Sequence, residues 1–185
     1  SIITKDKNQI LDSKVAILPG VGAFGEAMKQ LSSTKLDQCI FDFVDSKKPL
    51  IGICLGLQLL FQESSEFGRN SGLGIINGHV NKFKLQNDTY KFPVPQIGWN
   101  KVFKKGLAWS KTFLSDVNNA EFMYFVHSYY VEPEDQNIIL SETEYGNHKY
   151  CSSIQKNNIF ATQFHPEKSG HTGLKIYRNI KRKLI

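Results

Sequence analysis

Cysteine is scarce in this chain. Cys39, Cys54 and Cys151 are odd in number and widely spaced along 185 residues. They match no disulfide framework and no zinc spacing, which favours a reducing, cytoplasmic setting and leaves a lone thiol free for chemistry. No apolar run approaches the ~20 residues that cross a bilayer, so no membrane partner is expected. Repeats, low-complexity tracts and linkers are missing, and one domain spanning residues 1–185 is the economical organisation. No His/Asp/Glu set has the spacing of metal ligands, and neither a metal nor a cofactor is expected. The chain opens Ser-Ile-Ile-Thr, which is neither a start methionine nor a signal peptide, so its N-terminus is expected to be incomplete.

What is present is globular: 41% hydrophobic and 22% charged residues, with a net charge of +6. That charge raises the question of nucleic acid. However, the basic residues are scattered, apart from Lys175, Arg178, Lys181, Arg182 and Lys183 near the end, and no aromatic-basic interleaving accompanies them. A solvated helix face explains them, and nucleic acid is not an expected partner. The charge also suits an acidic partner, or a phosphorylated substrate held by that partner.

The spacing predicts strands at Val15–Leu18 and Leu50–Ile53. Helices are predicted through Phe24, Ala27, Met28 and Leu31, through Leu36, Cys39, Ile40, Phe43 and Val44, and over Leu55–Phe61. Strand–helix alternation of this kind implies a parallel sheet. Beyond Gly68 the pattern turns to strands: Val80–Leu85, Lys101–Phe103, Phe122–Val126, Ile138–Thr143, Tyr150–Ile154 and Ile159–Phe164. A closing helix from about Gly170 carries Leu174, Tyr177, Ile180 and Leu184 as its apolar stripe. The expectation is an α/β domain with a mixed sheet.

Three segments carry chemistry. In Gly52-Ile-Cys-Leu-Gly56, glycines flank Cys54 at a strand-to-helix turn. That is the backbone that lifts a nucleophile clear of a sheet, whereas a core cysteine needs no flanking glycines. At a helix N-terminus near an imidazole, the Cys54 pKa is expected to fall below that of a free thiol. In Phe164-His-Pro-Glu167, His165 and Glu167 point the same way from an extended strand end, so Glu167 can fix the imidazole tautomer. Attacker, proton carrier and orienter make an activated nucleophile. His79, His127, His148 and His171 lack a comparable carboxylate companion and read as structural or surface residues. Gly20-Val-Gly-Ala-Phe-Gly25 formally matches a dinucleotide fingerprint. The acidic residue wanted ~20 positions on is misplaced, because Asp42 and Asp45 sit in or at the end of a helix. The turn suits instead the aiming of a backbone N–H at a developing oxyanion.

Pro19–Gly25, Gly52–Phe61, Ile97–Asn100 (IGWN), Tyr124–Tyr130 (YFVHSYY), Thr143–Gly146 and Thr162–Gly170 (TQFHPEKSG) together resemble the class I glutamine amidotransferases. The IGWN, YFVHSYY and HPEKSG segments are similar in particular to the glutaminase subunits of imidazole glycerol phosphate synthases. This resemblance implies a flavodoxin-like α/β sandwich around a mixed, largely parallel central sheet. It also implies that a strand and helix of about 30 residues precede Ser1–Thr4. At Pro95-Gln96 the family commonly has Pro-His, and the resemblance puts that position in a partner-facing region.

The implied reaction is glutamine hydrolysis, with ammonia passed to a cyclase subunit in a heterodimer. Cys54, His165 and Glu167 would be catalytic, and N–H groups of Val21 and Leu55 would form the oxyanion hole. Gln58 and Glu66 would hold the amino-acid head group, with Ser128 and Tyr129 at its carboxylate end and Gly22 alongside. Trp99, Tyr124 and Lys168 would face the cyclase. A paralogous sugar-amidation system is an alternative destination for the ammonia. An α/β-hydrolase-like enzyme is another reading, although its acid normally precedes its histidine at a distance. A non-catalytic module of the same fold is a third, which the complete Cys54/His165/Glu167 set argues against.

Overall fold

The computed structural model describes residues 1–84 and 92–184, so Leu85 of the expected Val80–Leu85 strand lies outside the described residues, as does the side chain of Leu184. Five helices are described: α1 (Lys7–Asp12), α2 (Phe24–Ser33), α3 (Leu36–Asp45), α4 (Leu55–Leu59) and α5 (Gly170–Leu184). The strands are β1 (Ala16–Leu18), β2 (Leu50–Ile53), β3 (Phe61–Ser64), β4 (Asn70–Ser71), β5 (Ile76–Lys82), β6 (Gln96–Lys104), β7 (Glu121–His127), β8 (Tyr129–Pro133), β9 (Ile139–Tyr145), β10 (His148–Lys156) and β11 (Ile159–Thr162).

The strands form one mixed sheet in the order β1-β2-β11-β10-β8-β5-β3-β4, with β9 beside β10, β6 beside β9, and β7 beyond β6. The chain is α/β as expected. Parallel pairing is confined to β1–β2–β11 and β3–β5, and the other described pairs are antiparallel. The parallel share is thus smaller than "largely parallel" implies. The β9–β10 and β10–β11 connections are two-residue hairpins, which force antiparallel pairing, because a parallel crossover would need a dozen residues or more.

Period-2 alternation puts successive side chains of the central strands into two cores. Leu50, Ile159 and Ala161 join Phe24, Phe43, Leu57 and Phe61 on the face covered by α2 and α3. Ile51, Ile53 and Phe160 join Phe125, Phe164, Ile176 and Ile180 on the face covered by α5. Each fully buried large apolar side chain contributes roughly 1.5–3 kcal/mol.

Several elements differ from expectation. The helix after Cys54 ends at Leu59, and Phe61 opens a strand instead of closing the helix. A continuous apolar run does not distinguish the two by periodicity. Strand β5 starts four residues early, at Ile76, and β8 was not foreseen as a strand of its own. Helix α1 was also missed, although Asp6 caps it by accepting from the Gln9 N–H at 2.9 Å. On α5 the core-facing side chains are Ile176 and Ile180, while Leu174 is 47% exposed. The helix is rotated because Gly173 packs against the Pro166 carbonyl, where a Cβ would come within 1.9 Å of the oxygen.

Candidate active site

The C-terminal ends of three adjacent parallel strands deliver the chemistry, the usual place for a ligand in an open α/β sheet. β1 ends at Leu18 and leads into the Pro19–Gly22 turn, β2 ends one residue before Cys54, and β11 ends three residues before His165. The register is direct, with Leu18 opposite Gly52 and Ile53 opposite Thr162. The Cys54 N–H donates to the Thr162 carbonyl at 2.7 Å.

Cys54 sits at φ 53°, ψ −107°, a left-handed conformation unusual for a side-chain-bearing residue. Such strain costs about 1–3 kcal/mol and persists where the surroundings impose it. The flanking glycines impose it through close packing: a Cβ on Gly56 would lie 1.8 Å from the Leu18 carbonyl oxygen, and one on Gly52 would press on Ala161 and the Gly56 backbone at 3.0 Å. Only glycine lets the elbow seat between β1 and β11.

A cavity of about 270 Å³ opens at these strand ends. It is near the small limit of ligand cavities, about 300–1,000 Å³, and suits an amino acid. Cys54, Leu55, Gln58 and His165 line it from the elbow and the end of β11. Val21, Gly22 and Glu66 line a second side, and Ser128 and Tyr129 a third. Every residue expected at the nucleophile, oxyanion hole or substrate is therefore here except Glu167, which stands behind His165. Pro95, Val126 and His127 also line it and were not foreseen there.

His165 Nδ1 lies 2.6 Å from Glu167 Oε1, while its Nε2 is buried with no hydrogen-bond partner among the described residues. A carboxylate only accepts, so Nδ1 carries the proton and Nε2 offers a lone pair. The His165 N–H donates to the Tyr124 carbonyl at 2.9 Å, and the buried Ser169 hydroxyl donates to the His165 carbonyl at 2.6 Å while accepting the Tyr124 N–H at 2.9 Å. Ser169 is a clamp the sequence reading missed.

The Cys54 thiol donates to the Val126 carbonyl at 3.8 Å and accepts from the Gln163 amide at 3.6 Å. Burial pushes the thiol up to about 11. The Leu55 N–H, the Gln163 amide and Lys168 oppose that rise, and the charge of Glu167 adds to it. The expected low pKa is corrected: α4 has only five residues, and desolvation of a nearly enclosed sulfur outweighs its dipole.

Glu66 reaches the start of α2, where its Oε2 accepts the Phe24 N–H at 2.6 Å. Val21 is 83% exposed and Gly22 has φ 97°. On the outer face, Trp99 and Tyr124 meet edge to face at 6.0 Å, with the Lys168 ammonium 6.0 Å over the Tyr124 ring. These three expected interface residues form one patch.

Two expectations change. Gln96 is fully buried and not partner-facing, because its register opposite His127 turns it inward. It accepts from the Tyr150 hydroxyl at 2.8 Å and donates to Asn100 at 3.0 Å. His79 does have a carboxylate companion, Glu63 at 3.2 Å, on the surface and away from the cavity. Among the described residues no His/Cys/Asp/Glu group is arranged to hold a metal, and no helix is long and apolar enough to cross a membrane.

A family model for class-I glutamine amidotransferases matches residues 2–183, and the chain belongs to that family. Solved structures share the fold. One titled PurLQS from Thermotoga maritima has a TM-score of 0.65 at 18% identity, covering 94% of this chain and 81% of that one. The glutaminase domain of Trypanosoma brucei CTPS has 0.62 at 16%, covering 95% and 74%. Two relatives named imidazole glycerol phosphate synthase subunit HisH are much nearer in sequence. The one from Aquifex aeolicus is 44% identical over 98% of this chain and 84% of its own, and the one from Methanocaldococcus jannaschii 47% over 97% and 85%. Within the class-I enzymes, the chain is a member of the HisH family.

Proposed function

We propose that this chain is a glutaminase that hydrolyses glutamine to glutamate and ammonia, and that it passes the ammonia to a cyclase subunit in a cytoplasmic heterodimer making imidazole glycerol phosphate. The observation that carries the reading is the shared cavity. It holds the strained Cys54 together with a histidine whose Nδ1 is fixed by a carboxylate and whose Nε2 is buried and unpartnered.

The Cys54 thiol gives its proton to His165 Nε2, and the thiolate attacks the side-chain amide carbon of glutamine. The oxyanion takes N–H bonds from Leu55 and from the Val21 turn. His165 returns the proton to the leaving ammonia, and a γ-glutamyl thioester remains on Cys54. Water deprotonated by His165 then releases glutamate. Gln58 and Glu66 accept from the substrate ammonium, and Ser128, Tyr129 and Gly22 receive its carboxylate end. Ammonia released to water near neutrality would be protonated, so delivery favours a sealed contact with the cyclase through Trp99, Tyr124 and Lys168. No nucleic acid, metal or cofactor has a part in this scheme. Burial raises the Cys54 thiol, which favours the protonated form in the resting site and suits an enzyme that waits for its partner.

The test is Cys54→Ala in complex with the cyclase. Turnover with glutamine should vanish, while turnover with ammonium salt at raised pH should persist. Retained glutamine-dependent turnover would remove Cys54 as the nucleophile.

A further inference from the structure

In and behind the cavity wall two buried amides connect the head-group side of the site to the nucleophile. The Gln58 Nε2 group donates to the Tyr129 carbonyl at 2.9 Å and to Gln163 Oε1 at 3.1 Å, and Gln163 Nε2 donates to Cys54 Sγ at 3.6 Å. Gln58 is 5% exposed and Gln163 not at all. The direction of the chain is forced. A backbone carbonyl only accepts, so Tyr129 fixes which end of the Gln58 amide faces it. Gln58 then spends both N–H donors and meets Gln163 with one of them, so Gln163 must present its oxygen there. Its N–H is left for sulfur. Flipping either amide would set two donors or two acceptors against each other in a buried space. Of the two amide oxygens, Gln58 Oε1 is the one left without a donor among the described residues.

We infer that Gln163 is a positioning residue, one that holds the Cys54 sulfur, favours its thiolate and ties it to the amide that serves the substrate head group. A hydrogen bond to an ionised acceptor is roughly twice as strong as one to a neutral acceptor, so the Gln163 N–H stabilises thiolate over thiol. Bonds in such a chain polarise one another. Filling the acceptor position on Gln58 therefore strengthens the donation to sulfur, which links substrate occupancy to nucleophile activation. The other groups acting on the sulfur are the Val126 carbonyl, the Leu55 N–H, Glu167 and Lys168, with His165 in the same cavity, and none of them passes through Gln163. This inference rests on the glutaminase reading for its kinetic consequences only.

The experiment compares wild type with Gln163→Glu, which keeps an acceptor for Gln58 but offers sulfur no N–H, and with Gln163→Met, which offers neither. Iodoacetamide labelling of the Cys54 peptide is followed by mass spectrometry from pH 7 to 10. Folding is checked by near-ultraviolet circular dichroism. Both variants should label at least tenfold more slowly at pH 8.5, with the profile displaced to higher pH. In the cyclase complex both should lose kcat at least tenfold, while only Met should also raise KM, because only there does Gln58 lose its acceptor. An unmoved labelling profile in either folded variant overturns the inference. Failure of the glutaminase reading looks different: the wild-type complex would release no glutamate, whereas the labelling comparison would still decide the role of Gln163.

Discussion

Glu167 Oε1 stands 2.6 Å from Nδ1 of His165, and the pair is lopsided in its surroundings: the imidazole is 3% exposed and the carboxylate 43%. The charge that orients the ring is therefore partly in water, while the ring it orients is sealed. Glu167 fixes the tautomer by geometry, and its charge, partly screened by water, also supports the ring when it is protonated.

Glu167→Gln keeps an oxygen that Nδ1–H can reach but loses the charge that supports a protonated ring. Thioester formation should slow by roughly 10²-fold, with glutamine binding little changed, because Glu167 does not line the cavity. Rapid mixing with a chromogenic γ-glutamyl amide measures the acylation step. An unchanged rate would reduce Glu167 to a structural role.

Gly22 has φ 97°, which proline cannot adopt because its ring holds φ near −65°. Gly22→Pro should drive the Pro19–Gly22 turn out of its observed conformation and remove control of the neighbouring N–H. A missing oxyanion donor is worth about 10²–10³ in rate. The isolated chain should hydrolyse glutamine slower than the cyclase complex by about that factor, and Gly22→Pro should blunt the stimulation more than it weakens glutamine binding. Glutamate release with and without the cyclase and its nucleotide ligand tests both points. Equal rates for the chain alone and the complex would end the gating idea.

His127 is buried in the cavity wall, with Nδ1 2.8 Å from the Tyr129 carbonyl and Nε2 3.2 Å from the Tyr150 hydroxyl. Burial pushes its pKa down to about 4. An unfolded histidine titrates near 6.5, so between those values the unfolded chain binds the extra proton. Stability should be full above about pH 6.5 and fall as pH drops towards 4, by about 3 kcal/mol in all from this residue. His127→Asn keeps a donor for the Tyr129 carbonyl but cannot titrate. Urea unfolding at pH 7 and pH 4.5 should show a smaller loss in that variant, and an identical loss would place the acid sensitivity elsewhere.

Two glycines separate close packing from backbone strain. An alanine at Gly56 would put its Cβ 1.8 Å from the Leu18 carbonyl oxygen, whereas one at Gly74, φ 64°, would meet nothing within 4 Å. Gly56→Ala should cost more than about 4 kcal/mol and prevent folding of the elbow, while Gly74→Ala should cost about 1–2 kcal/mol. Denaturant midpoints rank the two, and a tolerated Gly56→Ala would mean the elbow can open.

The sequence by itself determined the chemistry. Cys54 between two glycines and His165 two residues from Glu167 are local patterns, and local backbone geometry is what short spacings encode. It also determined α2 and α3, whose apolar residues recur at helical spacing, and β2, a short apolar run buried on both faces. The tertiary structure decided the rest, through contacts made across many residues. Leu59–Phe61 leaves the helix for a strand because β3 finds β5 as a parallel partner. Gln96 turns inward because its register opposite His127 does so. The Cys54 thiol is raised and not lowered, because enclosure by distant segments desolvates it more than a five-residue helix can compensate. Gln163 and Ser169 gain their roles from partners as far away as Cys54 and Tyr124. Burial and long-range hydrogen bonding belong to the folded chain as a whole, and no window of sequence carries them.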